Sequence, residues 1–436
     1  MGKIDELTNE ASAMQKPVSD IAERGGSGAI AQLIQQYCPD GVEYVKLGEL
    51  CVKVCSGGTP SRGNGDYFMG NIPWLRTQEV NWNDIYDTEI KITEEAVNNS
   101  SAKIIPTNCV IIAMYGATAG KVGINKIPLT TNQACCNLQI NSQKALYKYV
   151  YYCVCNEYEN IKSLGQGSQN NINAQIVKDY PIPLPPLPVQ EAIVNILDSF
   201  AVYAAELQAE LQARQQQYNY YRDTLLSFEG REDVQWVKLG EVCSIKARIG
   251  WQRLNKSEYL STGNYYLVTG VDIRGTRVDF QSCYYVSKER YDMDTNIQLK
   301  NGDIILTKDG TIGKVALIEE MDKPGVLNSH LFVIRDTSGK LTAKYLMYIL
   351  LSKHFQMFVD KNKTQGTIPG LNQATVVKFE LPIPSLSEQQ RIVDILDRFD
   401  TLTNDLSQGL PAEIEARQQQ YEYYRDKLLT FKKKEA

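Results

Sequence analysis

Hydrophobic residues recur along two stretches of this chain at alternating spacings of four and three. In the first, Ile193, Leu197, Phe200, Ala204, Leu207, Leu211, Arg214, Tyr218, Tyr221, Leu225 and Phe228 fall on one stripe, with polar residues between them. That is about five heptads without a break, the seam of a coiled coil. A helix over residues 190–228 would span roughly 55–60 Å at about 1.5 Å per residue. The second stretch runs through Ile392, Leu396, Phe399, Thr403, Leu406 and Leu410. It continues through Ile414, Arg417, Tyr421, Tyr424, Leu428 and Phe431. From Leu410 to Ile414 the spacing is four where three is due, a stutter that locally unwinds a supercoil. It coincides with Gly409-Leu410-Pro411, and a C-capping glycine followed by proline in a new first turn predicts a kink or break. The first stretch holds AELQAELQ (205–212) at that place. All four residue types favour helix, so an uninterrupted helix is expected. The repeated unit reads as a spacer whose length can change by about one turn.

Elsewhere the pattern is shorter. CVIIAMYG (109–116), YYLVTGVDI (265–273) and NGDIILTKDG (301–310) are β-rich runs punctuated by Gly, Asn and Pro. KALYKYVYYCVC (144–155) and AKYLMYILLSKHF (343–355) are aromatic-rich helical stretches. Two mixed α/β domains are expected. YPIPLPPLP (180–188) reads as an extended arm leading into the first long helix.

The chain repeats itself. ARQQQYNYYRDTLLSF from Ala213 and ARQQQYEYYRDKLLTF from Ala416 match at thirteen of sixteen positions. Further back, PLPPLPVQEAIVNILDSF (183–200) aligns with PIPSLSEQQRIVDILDRF (382–399), GKVGI (120–124) with GKVAL (313–317), and VKLGEL (45–50) with VKLGEV (237–242). The two halves are duplicates with similar helices and diverged domains. Neither helix can bury its seam alone. The simplest assembly pairs them as an antiparallel coiled coil with a globular domain at each end, about a pseudo-two-fold axis. That arrangement suits two DNA half-sites. The boundaries are 1–32 for an extension, 33–182 for the first domain, 183–230 for the first helix, 231–381 for the second domain and 382–436 for the second helix. Arg214 and Arg417 fall on seam positions. A buried charge needs a partner, so each is expected to meet an acid or backbone acceptor across the helix pair.

Charge alters the picture locally. The net charge is −5, yet residues 45–182 carry +1 and residues 237–381 carry +5. A DNA footprint needs only a local face. No apolar run reaches membrane-spanning length and no secretory signal opens the chain, so a cytoplasmic protein is expected. The ten cysteines form no C-x-x-C pair, and only His330 and His354 could join them. That does not make a zinc site, and reduced thiols partly in a core are expected.

Three segments resemble catalytic motifs. YGATAGKVG (115–123) is like a phosphate loop, but its glycines are one residue too close and Val122 replaces the Ser/Thr. NIPW (71–74) departs from the amino-methyltransferase motif at Ile72, and EIK (89–91) is a nuclease-like triplet of a kind common by chance. No catalytic constellation emerges. The polar loops suit base and phosphate contact instead. In the first domain these are Thr59, Ser61, Arg62, Arg76, Gln78, Thr118, Lys121, Gln169, Asn170 and Asn171. In the second they are Arg248, Trp251, Arg253, Arg274, Arg277, Lys308, Thr311, Lys314, Lys363 and Gln365. Each alone is more readily a solvated loop residue than a DNA contact; the set carries the reading.

The chain resembles the specificity subunits of type I restriction-modification enzymes over about residues 33–436. The likeness rests on CPDGVEYVKLGEL, SGGTPSR, the paired proline-rich segments, GLPAEIEARQQQYEYYRDKLL and the duplication. The resemblance implies two target recognition domains, each reading half of a split site in double-stranded DNA. It implies spacer helices that set the distance between halves and dock two modification subunits, with Leu207, Leu211, Arg214, Tyr218, Tyr221, Arg417, Tyr421 and Tyr424 at the seam or docking face. It implies no catalysis, metal or cofactor in this chain. S-adenosylmethionine would serve the adenine-N6-methylating subunits, and ATP with Mg a restriction subunit. The contrasting readings are a coiled-coil scaffold that does not read DNA and a self-sufficient nuclease or methyltransferase.

Overall fold

The computed structural model describes residues 27–165, 171–248, 254–365, 369–404 and 409–435. Gln169, Asn170, Trp251, Arg253 and the seam residue Leu406 lie outside them. The chain forms two compact units, one of residues 1–206 with 415–436, the other of residues 207–414. The division falls inside the long helices, so each unit combines a globular domain with parts of both.

The first unit opens with helix α1 (Ser27–Tyr37) and strands β1 (Glu43–Lys46), β2 (Cys51–Ser56), β3 (Ile72–Leu75), β4 (Asn83–Ile85) and β5 (Lys91–Ile92). Helix α2 (Glu94–Asn98), β6 (Val110–Ala113), β7 (Val122–Asn125), β8 (Thr130–Thr131) and β9 (Cys135–Ile140) follow. Then come α3 (Tyr147–Asn156), α4 (Tyr158–Ser163), α5 (Ala174–Asp179), β10 (Pro181–Leu184) and the 39-residue α6 (Leu187–Leu225). A five-stranded sheet runs β2-β9-β6-β7-β4, a three-stranded sheet β5-β3-β8, and β1 pairs with β10. All four residues of β6 are buried because its two faces serve different cores. Val110 and Ile112 join the cluster under α3, while Ile111 and Ala113 join a smaller one with Leu75 and Leu129. A strand covered on both faces reads as a continuous apolar run.

The second unit repeats this plan. It contains β11 (Gln235–Lys238), α7 (Leu239–Val242), β12 (Cys243–Ala247), β13 (Tyr266–Val268), β14 (Ile273–Arg274), β15 (Arg277–Val278), β16 (Tyr284–Tyr285) and α8 (Lys288–Asp292). After these come β17 (Ile304–Thr307), β18 (Val315–Leu317), β19 (Gly325–Leu327), β20 (Leu331–Asp336), α9 (Ala343–Leu351), α10 (Lys353–Asn362), α11 (Gln373–Val376), β21 (Glu380–Ile383) and α12 (Leu386–Asn404). Its sheets run β12-β20-β17-β18-β15-β14 and β16-β13-β19, with β11 against β21. The order matches the first unit strand for strand, plus β14. The single helix expected over 343–355 is broken at Ser352, whose ψ of 154° is extended and whose hydroxyl caps α10 through Phe355 N–H.

The chain ends in α13 (Leu410–Leu429). The expected interruption is present at Gly409, which forms a bend outside helix immediately before α13 begins at Leu410. Gly409 acts at the new helix's start, its carbonyl accepting from Glu413 N–H at 3.2 Å, and so caps the N-terminus. The helices pair in antiparallel order through a duplicated aromatic contact. In the first unit Phe200 stacks on Tyr424 at 5.6 Å and meets Tyr421 edge-on at 6.3 Å. In the second Phe399 stacks on Tyr221 at 5.5 Å. Most seam residues are buried or half-buried, whereas Ala204 is exposed. The arginine expectation fails for Arg214. It bonds to Glu210 at 2.6 Å and Gln217 at 2.9 Å along its own helix, where a side chain at i±3 or i−4 is nearer than the partner. Arg417 donates to Gln420, also on its own helix.

All ten cysteines are free thiols. Burial pushes Cys51 up to about 11 and Cys109 and Cys136 to about 12, so they pack as neutral side chains.

Candidate nucleic-acid interface

Each globular domain is bolted to its long helix by the same side chains. Gln190, fully buried, accepts from Leu146 N–H at 2.9 Å and donates to Pro185 O at 2.8 Å. Gln389 does the same with Thr342 N–H and Pro384 O. Tyr149 donates to Pro183 O, as Tyr345 does to Pro382 O. Asp198 accepts from Lys148 and Tyr152, and Asp397 accepts from Lys344 and Tyr348. Buried polar groups with every partner present fix orientation as well as burial. The docking faces are duplicates, and the loops at the free ends of the sheets are not.

In the first unit the loop after β2 is threaded through a narrow space. A Cβ on Gly57 would lie 1.9 Å from Thr131 O, and one on Gly58 2.3 Å from Ala102 N, so only glycine fits at either. Trp74 pins the loop with its indole N–H on Gly58 O at 2.9 Å. Being 3% exposed, that indole is a structural group and not a stacking platform. Thr59 on this loop bonds to Gln133 of the β8–β9 turn, and Ser61 and Arg62 beyond it are exposed. Arg76 is held by Glu79 and Glu89, with the Gln78 side-chain oxygen accepting from its guanidinium at 2.8 Å. The Thr118 hydroxyl is spent on Thr77 O at 2.9 Å. Lys121 donates to Asn81 and lies 4.4 Å over the ring of Trp82. Asn171 accepts from Gly116 N–H. YGATAGKVG connects β6 to β7, strand to strand, whereas a phosphate loop opens a helix.

The second unit sorts its candidates into three places. Arg248 is 3% exposed and donates to Leu327 O at 3.1 Å; burial and the nearby Arg290 lower its pKa. Its guanidinium is part of the core edge. Lys308, Thr311 and Lys314 share the β17–β18 loop, where Thr311 and Lys314 are exposed and Lys308 lies over the Phe332 ring. Lys363 pairs with Asp360 at 2.8 Å, and Gln365 is exposed. Leu371 N–H bonds to Lys308 O, so the chain at Leu371 lies against this loop. Arg274 and Arg277 lie elsewhere, on the β14–β15 hairpin. Arg277 pairs with Leu317, at the far end of β18 from Lys314. Thr276 at the hairpin tip donates to Asp400 of α12 at 3.3 Å. These two arginines stand beside the long helix, about 10 Å of strand from the lysine loop.

Sequence reasoning passed over Gln133 and His330, both on β-turns. His330 entered only as a possible zinc ligand. Asn328 and Asn132, each one residue before these turns bend back, carried the usable signal: their side chains accept from His330 N–H and Ala134 N–H. Among the described residues no group of His, Cys, Asp and Glu could hold a metal ion, and no helix is long and apolar enough to cross a membrane.

The model of the type I restriction modification DNA specificity domain matches this chain twice, over residues 39–214 and 231–416. The chain belongs to that family. Among its relatives, the EcoR124I/EcoR124II specificity subunit of Escherichia coli is 36% identical over 300 residues, covering 68% of this chain and 73% of the relative. The EcoprrI specificity subunit of the same organism is 27% identical, covering 84% and 90%. The S subunit of a type I restriction-modification system from M. genitalium has a similar fold, with TM-score 0.51 at 15% identity, over 89% of this chain and 96% of that one. A chain from a type I system studied for complex assembly and conformational transition gives TM-score 0.63 at 18% identity, over 90% and 98%. Each family match spans one globular domain and much of the helical stretch after it, including the segment that the duplicated Gln, Tyr and Asp contacts hold to the domain. In this specificity subunit the family's DNA-recognition domains are therefore the two α/β domains.

Proposed function

We propose that this specificity subunit reads a bipartite site in double-stranded DNA, one half with each unit. The first half falls to the loops carrying Thr59, Ser61, Arg62, Gln133 and Asn171. The second falls to the loops carrying Lys308, Thr311, Lys314 and Gln365. The observation that carries this reading is the contrast between identical helix-docking contacts and unlike loop ends on one duplicated scaffold. A scaffold without DNA recognition would have no reason to keep the docking contacts and diversify the domains that carry these loops. The chain contributes recognition, and chemistry comes from partners in a cytoplasmic complex. Two modification subunits using S-adenosylmethionine methylate adenine N6, and a restriction subunit uses ATP and Mg. The paired helices set the separation of the halves.

Two measurements test this. The reconstituted complex, offered random duplexes, should enrich a split sequence over competitor; equal binding to all duplexes sinks the recognition claim. Deleting residues 209–212, one AELQ unit, shortens α6 by about 6 Å and turns its end by about 40°. Mapped methylated adenines should then show the same half-sites with a spacer one or two base pairs shorter. An unchanged spacer removes the ruler role.

A further inference from the structure

The two units place different residues at one position of the same scaffold. In the second, Lys308 N–H bonds to His330 O, and in the first, Met114 N–H bonds to Ala134 O. Leu371 N–H bonds to Lys308 O, and Ile172 N–H bonds to Met114 O. The backbone frame is thus the same, with Ala134 at the place of His330 and Tyr115 at the place of Asp309. Only the second unit has a titratable pair there. His330 Nδ1 lies 2.5 Å from Asp309 Oδ1. An ionised carboxylate only accepts, so Nδ1 carries the proton and Nε2 is the ring's remaining hydrogen-bonding atom. The imidazole side chain is 55% exposed, while Asp309 beneath it is 28% exposed. Asp309 is itself held by a backbone bridge to Gly370. Three chain segments therefore converge to hold one ring on an open surface, with Lys308 bonded to its backbone and the exposed Thr311 and Lys314 further along the same β17–β18 loop.

Neither core packing nor a metal explains such a ring. An oriented, exposed hydrogen-bonding atom at a loop cluster that also carries an exposed lysine fits base-edge reading, where phosphate contacts position and side-chain edges specify. We propose that His330, oriented by Asp309, reads one base edge in the major groove of the half-site bound by the second unit. The proposal rests on the bipartite-recognition reading above.

The test uses the reconstituted methylating complex on a randomised DNA library, with methylated adenines mapped for wild type, His330→Ala and His330→Gln. His330→Ala should lose discrimination at one position of one half-site by about 5- to 150-fold, the range of a good base contact. The other positions and the other half-site should keep their preferences. His330→Gln, a polar side chain of similar reach, should alter the preferred base at that same position. Asp309→Ala should blur the same position less strongly. Unchanged preference in both His330 variants overturns the proposal. So does equal weakening at every position of one half-site, the mark of a phosphate contact or a loosened loop. If His330→Ala yields no complex, the His330→Gln profile alone decides between these outcomes. A wild-type complex without any bipartite site would instead sink the functional reading.

Discussion

The two units share a scaffold but close their chains differently. In the second, the polypeptide runs without interruption from α6 through residues 226–234 into β11. In the first, the equivalent junction joins two segments far apart in sequence, residues 41–44 and 431–434. Val42 N–H bonds to Lys432 O, Lys434 N–H bonds back to Val42 O, and Tyr44 donates to Phe431 O. A Cβ on Gly41 would meet Lys432 O at 2.4 Å, and its φ of 95° suits glycine alone. Hydrogen bonds thus replace in one unit what a covalent connection supplies in the other. The comparison teaches that the domain–helix docking is the repeating element, and that chain connectivity is secondary to it.

That equivalence is open to attack at its strongest contact. Phe200→Ala and Phe399→Ala each remove a buried ring from the helix pair, and each should cost about 3–5 kcal/mol. Amide exchange should accelerate in α13 for the first variant and in the second half of α6 for the second. A cost below about 1 kcal/mol in only one of them would show that the two pairings are not the same device.

The difference in closure predicts an asymmetric result. Removing residues 430–436 deletes three hydrogen bonds, worth about 2–3 kcal/mol together at roughly 1 kcal/mol each. Exchange in β1 and β10 should accelerate while β11 and β21 stay protected. Equal loosening of both pairs would mean that the tail does more than close its own unit.

The smallest effect sharpens a contrast between the helix faces. Burial raises the Asp400 carboxyl above its ordinary 3.8, against the opposing pull of Asn404, Thr276 and Arg277. Well below 3.8 both folded and unfolded forms are protonated and the group is neutral to stability. As pH rises, the unfolded state releases its proton first, and the folded state loses stability up to its own higher pKa. Asp400→Asn should therefore raise the melting temperature at pH 7, with the gain vanishing near pH 3. A gain that persists unchanged at pH 3 would assign the effect to packing.

The sequence by itself determined the duplication, the heptad seam, the break at Gly409-Leu410-Pro411 and the β-rich runs. Each of these is a local periodicity or a local backbone restriction, and locality is what a single sequence records. It also indicated which loops are polar. It did not tell which of those residues face solvent. Arg76 and Arg248 read like Arg62, yet the first is neutralised by two glutamates and the second is enclosed at the core edge. Arg274 and Arg277 read as part of one basic set with Lys308, yet the β15–β18 pairing sends them toward the helix. His330 gave no local signal of its orientation, because Asp309, twenty-one residues away, reaches it only through the β17–β20 ladder. Long-range pairing decides which side chains meet, and no spacing along the chain encodes it.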